Sequence, residues 1–223
     1  MLHLKPGVVS PAIKIKEAGI RLSKAGLSPG CSGNISMRGK EGFFISPSAT
    51  TYEDLEPDDM VLVKWSYDEE TITQLRPKPS SEWRFHRAIY LAYAHVNAVV
   101  HCHTHYAQVL ACLAGLGKIP ANFHYMMQIA GGSVRRMPYE TPGSQALAES
   151  AVEGLRERTV VLLGNHGSIA VGADLETACD IQGRFEELCR IYADVIRLGA
   201  YAPIPQKKME ELPAFFKNYG QKK

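Results

Sequence analysis

The chain has 223 residues, 45% hydrophobic and 22% charged, which suits a soluble globular protein of one large domain or two small ones with ample length for a core. Its formal net charge of +2 has no Lys/Arg block behind it apart from the final Lys222-Lys223, so a nucleic-acid partner is not expected. No apolar run reaches transmembrane length, and the first residues lack the unbroken apolar stretch of a signal peptide. Five cysteines (Cys31, Cys102, Cys112, Cys179, Cys189) form an odd set without framework spacing, which predicts reduced thiols and a cytoplasmic protein.

In chain order, Ser10-Pro11 predicts a helix start and Gly26 its stop. From Gly30 to Trp65, short apolar runs alternate with Gly, Asn, Ser and Pro, as in strands joined by tight loops. Residues 82–95 carry Phe85, Ile89 and Tyr93 at intervals of four, the period of a helix. "NAVVHCH" (97–103) is a short buried strand, 105–115 is again helical, and "TVVLLGNHGSIAVG" (159–172) is two strands around a Gly-Asn-His-Gly turn. A long helix follows from Asp174 to Leu198, with Ala178, Ile181, Phe185, Leu188, Tyr192 and Val195 on one stripe. No repeat or linker divides the chain, so a single domain over 1–223 is expected, with a mobile C-terminal tail from about 206. The interspersed hairpins predict an α/β fold with a mixed or antiparallel sheet and helices on its faces.

Side chains alternate along a strand, so His101 and His103 share a face and Cys102 points away into a core. Two neutral imidazoles on one face can grip a zinc-type ion. His166 is the best third ligand, because Gly164 and Gly167 free the backbone to present it at a turn. His105 is read as supporting or structural, since the chain turns helical there. His86 and His95 are read as helix-surface or interhelix residues, and His3 and His124 have no comparable setting.

"PSSEW" (79–83) places two hydroxyls and a carboxylate at a helix start. A helix N-terminus favours a phosphate, although Ser80, Ser81 and Glu82 also read as plain capping and first-turn residues. Gly33-Asn34 and the Ser46-Pro47-Ser48-Ala49 loop offer further donors. Beside a metal pair, these loops suggest a small phosphorylated substrate.

The ordered series "SGNIS", "SPS", "KPSSEWRFH", "NAVVHCH", "HYMMQIAGG", "PYETPGS", "NHGSIA" and "FFKNYG" resembles the class II aldolase/adducin family, most closely its branch acting on L-fuculose 1-phosphate. The resemblance implies a three-layer α/β/α fold with a mixed, largely antiparallel sheet. It also implies a Zn2+ ion held by His101, His103 and His166, with Glu82 as a further ligand and acid/base. Asn34, Ser48, Ala49, Ser80 and Ser81 would bind the phosphate. Tyr125 would be a proton donor reaching a neighbouring subunit's site in a homotetramer, and Tyr219 would lie on a tail covering the site. The implied reaction cleaves a ketose 1-phosphate to dihydroxyacetone phosphate and an aldehyde (L-lactaldehyde from L-fuculose 1-phosphate), without a Schiff-base lysine; Lys78 is read as a surface residue. One departure stands out: Ala49 replaces the glycine usual in that phosphate loop. L-ribulose-5-phosphate 4-epimerases, which resemble a Ser-Ser-Asp pattern here, methylthioribulose-1-phosphate dehydratases and non-catalytic adducin-like modules are the alternatives.

Overall fold

An eight-stranded mixed sheet organises residues 10–218, the part of the chain that the computed structural model describes. Its strands are β1 (Asn34–Arg38), β2 (Gly42–Ile45), β3 (Val61–Lys64), β4 (Ala98–Cys102), β5 (Lys118–Ile119), β6 (Val134–Met137), β7 (Val160–Leu163) and β8 (Gly167–Gly172). They lie in the order β3-β2-β1-β4-β8-β7-β6-β5. Every pairing is antiparallel except β6–β7. That parallel pair needs a crossover, which the helix α5 (Gln145–Gly154) supplies.

Helices cover both faces. On one, α2 (Glu69–Gln74), α3 (Trp83–Ala92) and α5 bury Ile72, Phe85, Ile89, Leu147 and Ala151 against Phe43, Val63, Val99, Val161 and Ile169. On the other, α1 (Pro11–Lys24), α4 (His105–Cys112) and α6 (Leu175–Arg197) pack over the alternate strand residues, including Val100, Cys102, Leu162 and Ala170. Each large apolar side chain fully buried in these layers contributes about 1.5–3 kcal/mol of transfer free energy. The strand alternation holds at β4: Val99 and His101 face α3, while Cys102 is a core residue facing α1.

The long helix α6 starts where expected. The Asp174 side chain accepts from the Thr177 amide at 2.7 Å, with Glu176 in the first turn and Arg197 in the last. Its stripe buries Ala178, Ile181, Phe185, Leu188 and Tyr192. Helix α3 is shorter than the 82–95 read from sequence: it ends at Ala92, and Tyr93 leaves the helix in an extended conformation. Residues from about 206, read as a tail, include a further helix, α7 (Gln206–Asn218), which buries Met209. Tyr219 lies outside the described residues. Among the described residues no helix is long and apolar enough to cross a membrane.

Candidate metal and substrate site

The centre of the sheet brings three histidines and a glutamate together. His101 is the last but one residue of β4, with its side chain fully buried, and His103 lies just past the strand on the same side. His166 sits in the β7–β8 turn, where Asn165 adopts a left-handed conformation (φ 52°). Gly167 lets that turn close on β4, since a Cβ there would lie 2.5 Å from the Cys102 carbonyl. Glu82 occupies the N-cap position of α3, yet its side chain makes no capping bond. It turns inward instead and is 6% exposed.

The three imidazole rings form a near-equilateral triangle with centroid separations of 4.7, 4.9 and 4.9 Å. His101 Nε2 lies 2.9 Å from His103 Nε2 and 3.2 Å from Glu82 Oε2, and His166 Nε2 lies 3.4 Å from Glu82 Oε1. Ligands at 2.0–2.1 Å from a tetrahedral ion are about 3.3 Å apart, so the cluster already has ligand spacing. All four donor atoms fall within 4.8 Å of one another. The hydrogen bonding points the same way. His101 Nδ1 donates to the Ser168 carbonyl at 2.9 Å, which turns its Nε2 toward Glu82 and His103. Glu82 Oε1 is buried without a hydrogen-bond partner. A cation among these atoms would give that oxygen a partner, and the residues therefore fit a metal ion.

The electrostatics agree. Burial and the neighbouring histidines push His103 down to about 4, and His166 likewise to about 4, which keeps both imidazoles neutral donors at neutral pH. Burial alone would raise the Glu82 carboxyl, but His101, His166 and the Asn34 amide outweigh it and hold it well below the usual carboxylate range.

Supporting residues come from elements with no other reason to carry polar groups. Gln182, on the buried stripe of α6, donates to Ser168 Oγ at 2.8 Å, behind His101. Glu186, one turn on, accepts from the Tyr106 and Ala107 amides at 2.7 and 2.9 Å and from Thr104 Oγ1. It thereby caps α4 from outside and fixes the segment that holds His103. The sequence reading missed both; the signal was two polar residues one helical turn apart, beside Ile181 and Phe185. His86 is the clearest correction. Read as a surface or interhelix residue, it is fully buried, its pKa pushed down to about 3 chiefly by burial, and it bonds to Asn34 and Ser36. His105 is exposed against Tyr106 and is not part of the cluster.

A cavity of about 310 Å³ opens over the cluster and is lined by Asn34, Ser48, Ala49, Ser80, Ser81, Glu82, His103 and His166, with Cys31 on its rim. Two loops meet there because they pair like strands. The Ser48 amide donates to the Lys78 carbonyl, the Ser80 amide to the Ser46 carbonyl, and Pro47 bridges Pro79. Gly33 makes the third wall, where a Cβ would sit 2.4 Å from the His101 carbonyl. Asn34 pairs with His101 across β1–β4 and gives Glu82 Oε2 a 2.9 Å hydrogen bond. A larger cavity, about 930 Å³, lies elsewhere between Tyr125, Ile129, Leu188 and Phe216 and contains none of the metal-ligand cluster. The metal-ligand cluster opens into the smaller one.

The family model described as "Class II Aldolase and Adducin N-terminal domain" matches residues 13–193. The chain belongs to the class II aldolase and adducin family. A "5-methylthioribulose-1-phosphate/5-deoxyribulose-1-phosphate aldolase" of Rhodospirillum rubrum is 38% identical over 92% of this chain and 90% of its own length. A "5-deoxy-D-ribulose 1-phosphate aldolase" of Bacillus thuringiensis serovar kurstaki is 37% identical, covering 91% and 93%. The solved structure of an "L-fuculose 1-phosphate aldolase" superposes with a TM-score of 0.83 at 30% identity over 96% of this chain and all of that one. As a class II aldolase-type chain, it has its sheet and helical layers in the arrangement expected from sequence.

Ala49 has φ 56°, a left-handed conformation that costs a Cβ-bearing residue about 1–2 kcal/mol. The glycine that the sequence resemblance leads one to expect at this place would carry no such cost. Ala49→Gly is expected to relieve this strain, offset in part by about 0.4–1 kcal/mol of unfolded-state entropy. Thermal melts should show a rise of about 1–3 °C; a fall would mean that the loop does not hold this conformation in solution. Tyr125 is 46% exposed and stacks against Phe216 with planes 3° apart, in the larger cavity and away from Glu82 of its own chain.

Proposed function

We propose that the protein is a zinc-dependent aldolase that cleaves a ketose 1-phosphate between C3 and C4 to dihydroxyacetone phosphate and an aldehyde. One observation carries this reading: a closely spaced cluster of three histidines and a glutamate opens into a cavity walled by the Ser48 and Ser80–Ser81 loops. Metal chemistry and phosphate recognition are thus within one small space. When bound, a divalent cation supplies Lewis-acid stabilisation of the negative charge left on the ketose half, and a donor set of three imidazoles and a carboxylate suits zinc.

The chain's own residues have distinct tasks. Ser48, Ser80, Ser81, the Ala49 backbone and the second N–H of Asn34 hold the phosphate. Asn34 also fixes Glu82 Oε2, which leaves Oε1 as the oxygen that takes a proton from solvent and delivers it to C3 as the C3–C4 bond breaks and its electron pair stays on the ketose half. The C4 hydroxyl must lose a proton as it becomes the aldehyde. We assign that proton to Tyr125 of a neighbouring subunit in a homo-oligomer, most simply a tetramer, because Tyr125 lines the larger cavity and not the metal-site cavity of its own chain.

The sequence reading put L-fuculose 1-phosphate first. The relatives at 37–38% identity instead favour 5-deoxyribulose 1-phosphate and 5-methylthioribulose 1-phosphate as the first substrates to test. A panel of these three ketose 1-phosphates, with release of dihydroxyacetone phosphate as the readout, is expected to show cleavage of at least one, abolished by chelation. Epimerisation of L-ribulose 5-phosphate without cleavage of any panel member would overturn the proposal.

A further inference from the structure

We propose that His86 is a positioning residue that aims the Glu82 carboxylate, acting through the Asn34 amide; this rests on the metal and acid/base reading of Glu82 given above. Five side chains from β1 and α3 form an unbroken buried chain: Tyr90, Ser36, His86, Asn34 and Glu82. Its links are Tyr90 Oη to Ser36 Oγ at 2.7 Å, Ser36 Oγ to His86 Nδ1 at 2.7 Å, His86 Nε2 to Asn34 Oδ1 at 2.5 Å, and Asn34 Nδ2 to Glu82 Oε2 at 2.9 Å.

The direction of every proton in this chain is fixed by what each atom can do. The Glu82 carboxylate only accepts, so Asn34 turns its amide N–H to it and its carbonyl oxygen to His86. That oxygen also only accepts, so His86 Nε2 carries the ring proton. A neutral imidazole has one such proton, which makes Nδ1 the acceptor of the Ser36 hydroxyl, and Ser36 Oγ in turn accepts from Tyr90. With the opposite tautomer, His86 Nε2 would demand a donor, the Asn34 amide would rotate, and an amide oxygen would face Glu82 Oε2 at 2.9 Å. The ring tautomer therefore decides whether the carboxylate is held or repelled. Glu82 and His86 are four residues apart and so lie on the same side of the start of α3, while Asn34 is the β1 partner of His101. The Asn34 link thus ties the start of α3 to the strand that carries a metal ligand. Oriented outer partners of this kind change metal affinity or activity about 10–100-fold when removed.

The test uses the full-length protein loaded with zinc, or with cobalt as a spectroscopic substitute. His86→Phe keeps the ring volume and removes both nitrogens; His86→Gln restores an N–H that can reach Asn34; Ser36→Ala removes only the donor to Nδ1. Zinc affinity by chelator competition and the visible spectrum of the cobalt form are read beside kcat and KM. His86→Phe is expected to lower zinc affinity or kcat about 10–100-fold, to alter the cobalt spectrum and to change KM less than kcat. His86→Gln should recover part of the loss. A folded His86→Phe protein with wild-type zinc affinity, spectrum and kcat overturns the role, and so does equal impairment in both His86 variants. If His86→Phe does not fold, Ser36→Ala decides: a several-fold fall in kcat with an altered cobalt spectrum at unchanged Tm supports the role, and no change overturns it. The spectrum needs no substrate. A wild-type protein that binds metal but cleaves no sugar phosphate defeats the aldolase assignment alone, whereas one that binds no metal defeats both.

Discussion

Replacing Glu82 with glutamine is expected to lower kcat by about 10²–10⁴ with the fold retained. Glutamine matches the side chain in size, and its amide oxygen can still accept from Asn34 Nδ2. What it loses is the ionisable oxygen beside His166, the group assigned to carry the proton to and from C3. The loss should therefore fall on kcat rather than KM, because the serine loops proposed to hold the phosphate are untouched. Metal affinity should also weaken, since a neutral amide oxygen is a poorer ligand than a carboxylate. Steady-state kinetics on the best substrate of the panel, with a thermal melt of the same preparation, provide the check. Turnover within tenfold of wild type, or near-normal exchange of the dihydroxyacetone phosphate methylene proton with solvent, would remove Glu82 from proton transfer.

The parts of this site legible in the sequence are those set by local rules. Strand alternation alone puts His101 and His103 on one face, and the glycines around His166 mark a turn that can present a ring. All three histidines reach the cluster that way. The stripe of α6 was legible for the same reason, since a period of 3.6 needs no knowledge of the partner it packs on. What stayed hidden was set by pairing across the sheet. Nothing local says that β1 lies beside β4, so Asn34 could be read as a phosphate donor but not as the neighbour of His101 that also holds Glu82. His86 was misplaced for a related reason. A histidine on an amphipathic helix reads as surface until a buried acceptor is known to face it. Gln182 and Glu186 interrupt an apolar stripe, and that mismatch was visible; its meaning came only with Ser168 and the start of α4 behind it.

His166→Ala is expected to abolish both metal uptake and cleavage, and the stability of the protein offers a readout of this that needs no substrate. A ligand that binds only the folded state at a hundred times its Kd stabilises by about 2.7 kcal/mol. For a chain of this size each kcal/mol moves Tm by about 2–4 °C, so zinc should raise the Tm of the metal-free wild-type protein by about 5–10 °C. In His166→Ala one corner of the imidazole triangle is gone, leaving His101, His103 and Glu82 with an open side toward the cavity. The zinc-induced rise should then shrink to about 2 °C or less at the same concentration. Removing a partly buried imidazole also alters packing, but that effect is present in the metal-free melts of both proteins, so the difference between metal-free and zinc-loaded Tm isolates the metal contribution. Metal analysis should find about one equivalent per wild-type chain and far less in the variant. A variant that kept its full equivalent and the full rise in Tm would show that the third ligand comes from somewhere other than the β7–β8 turn.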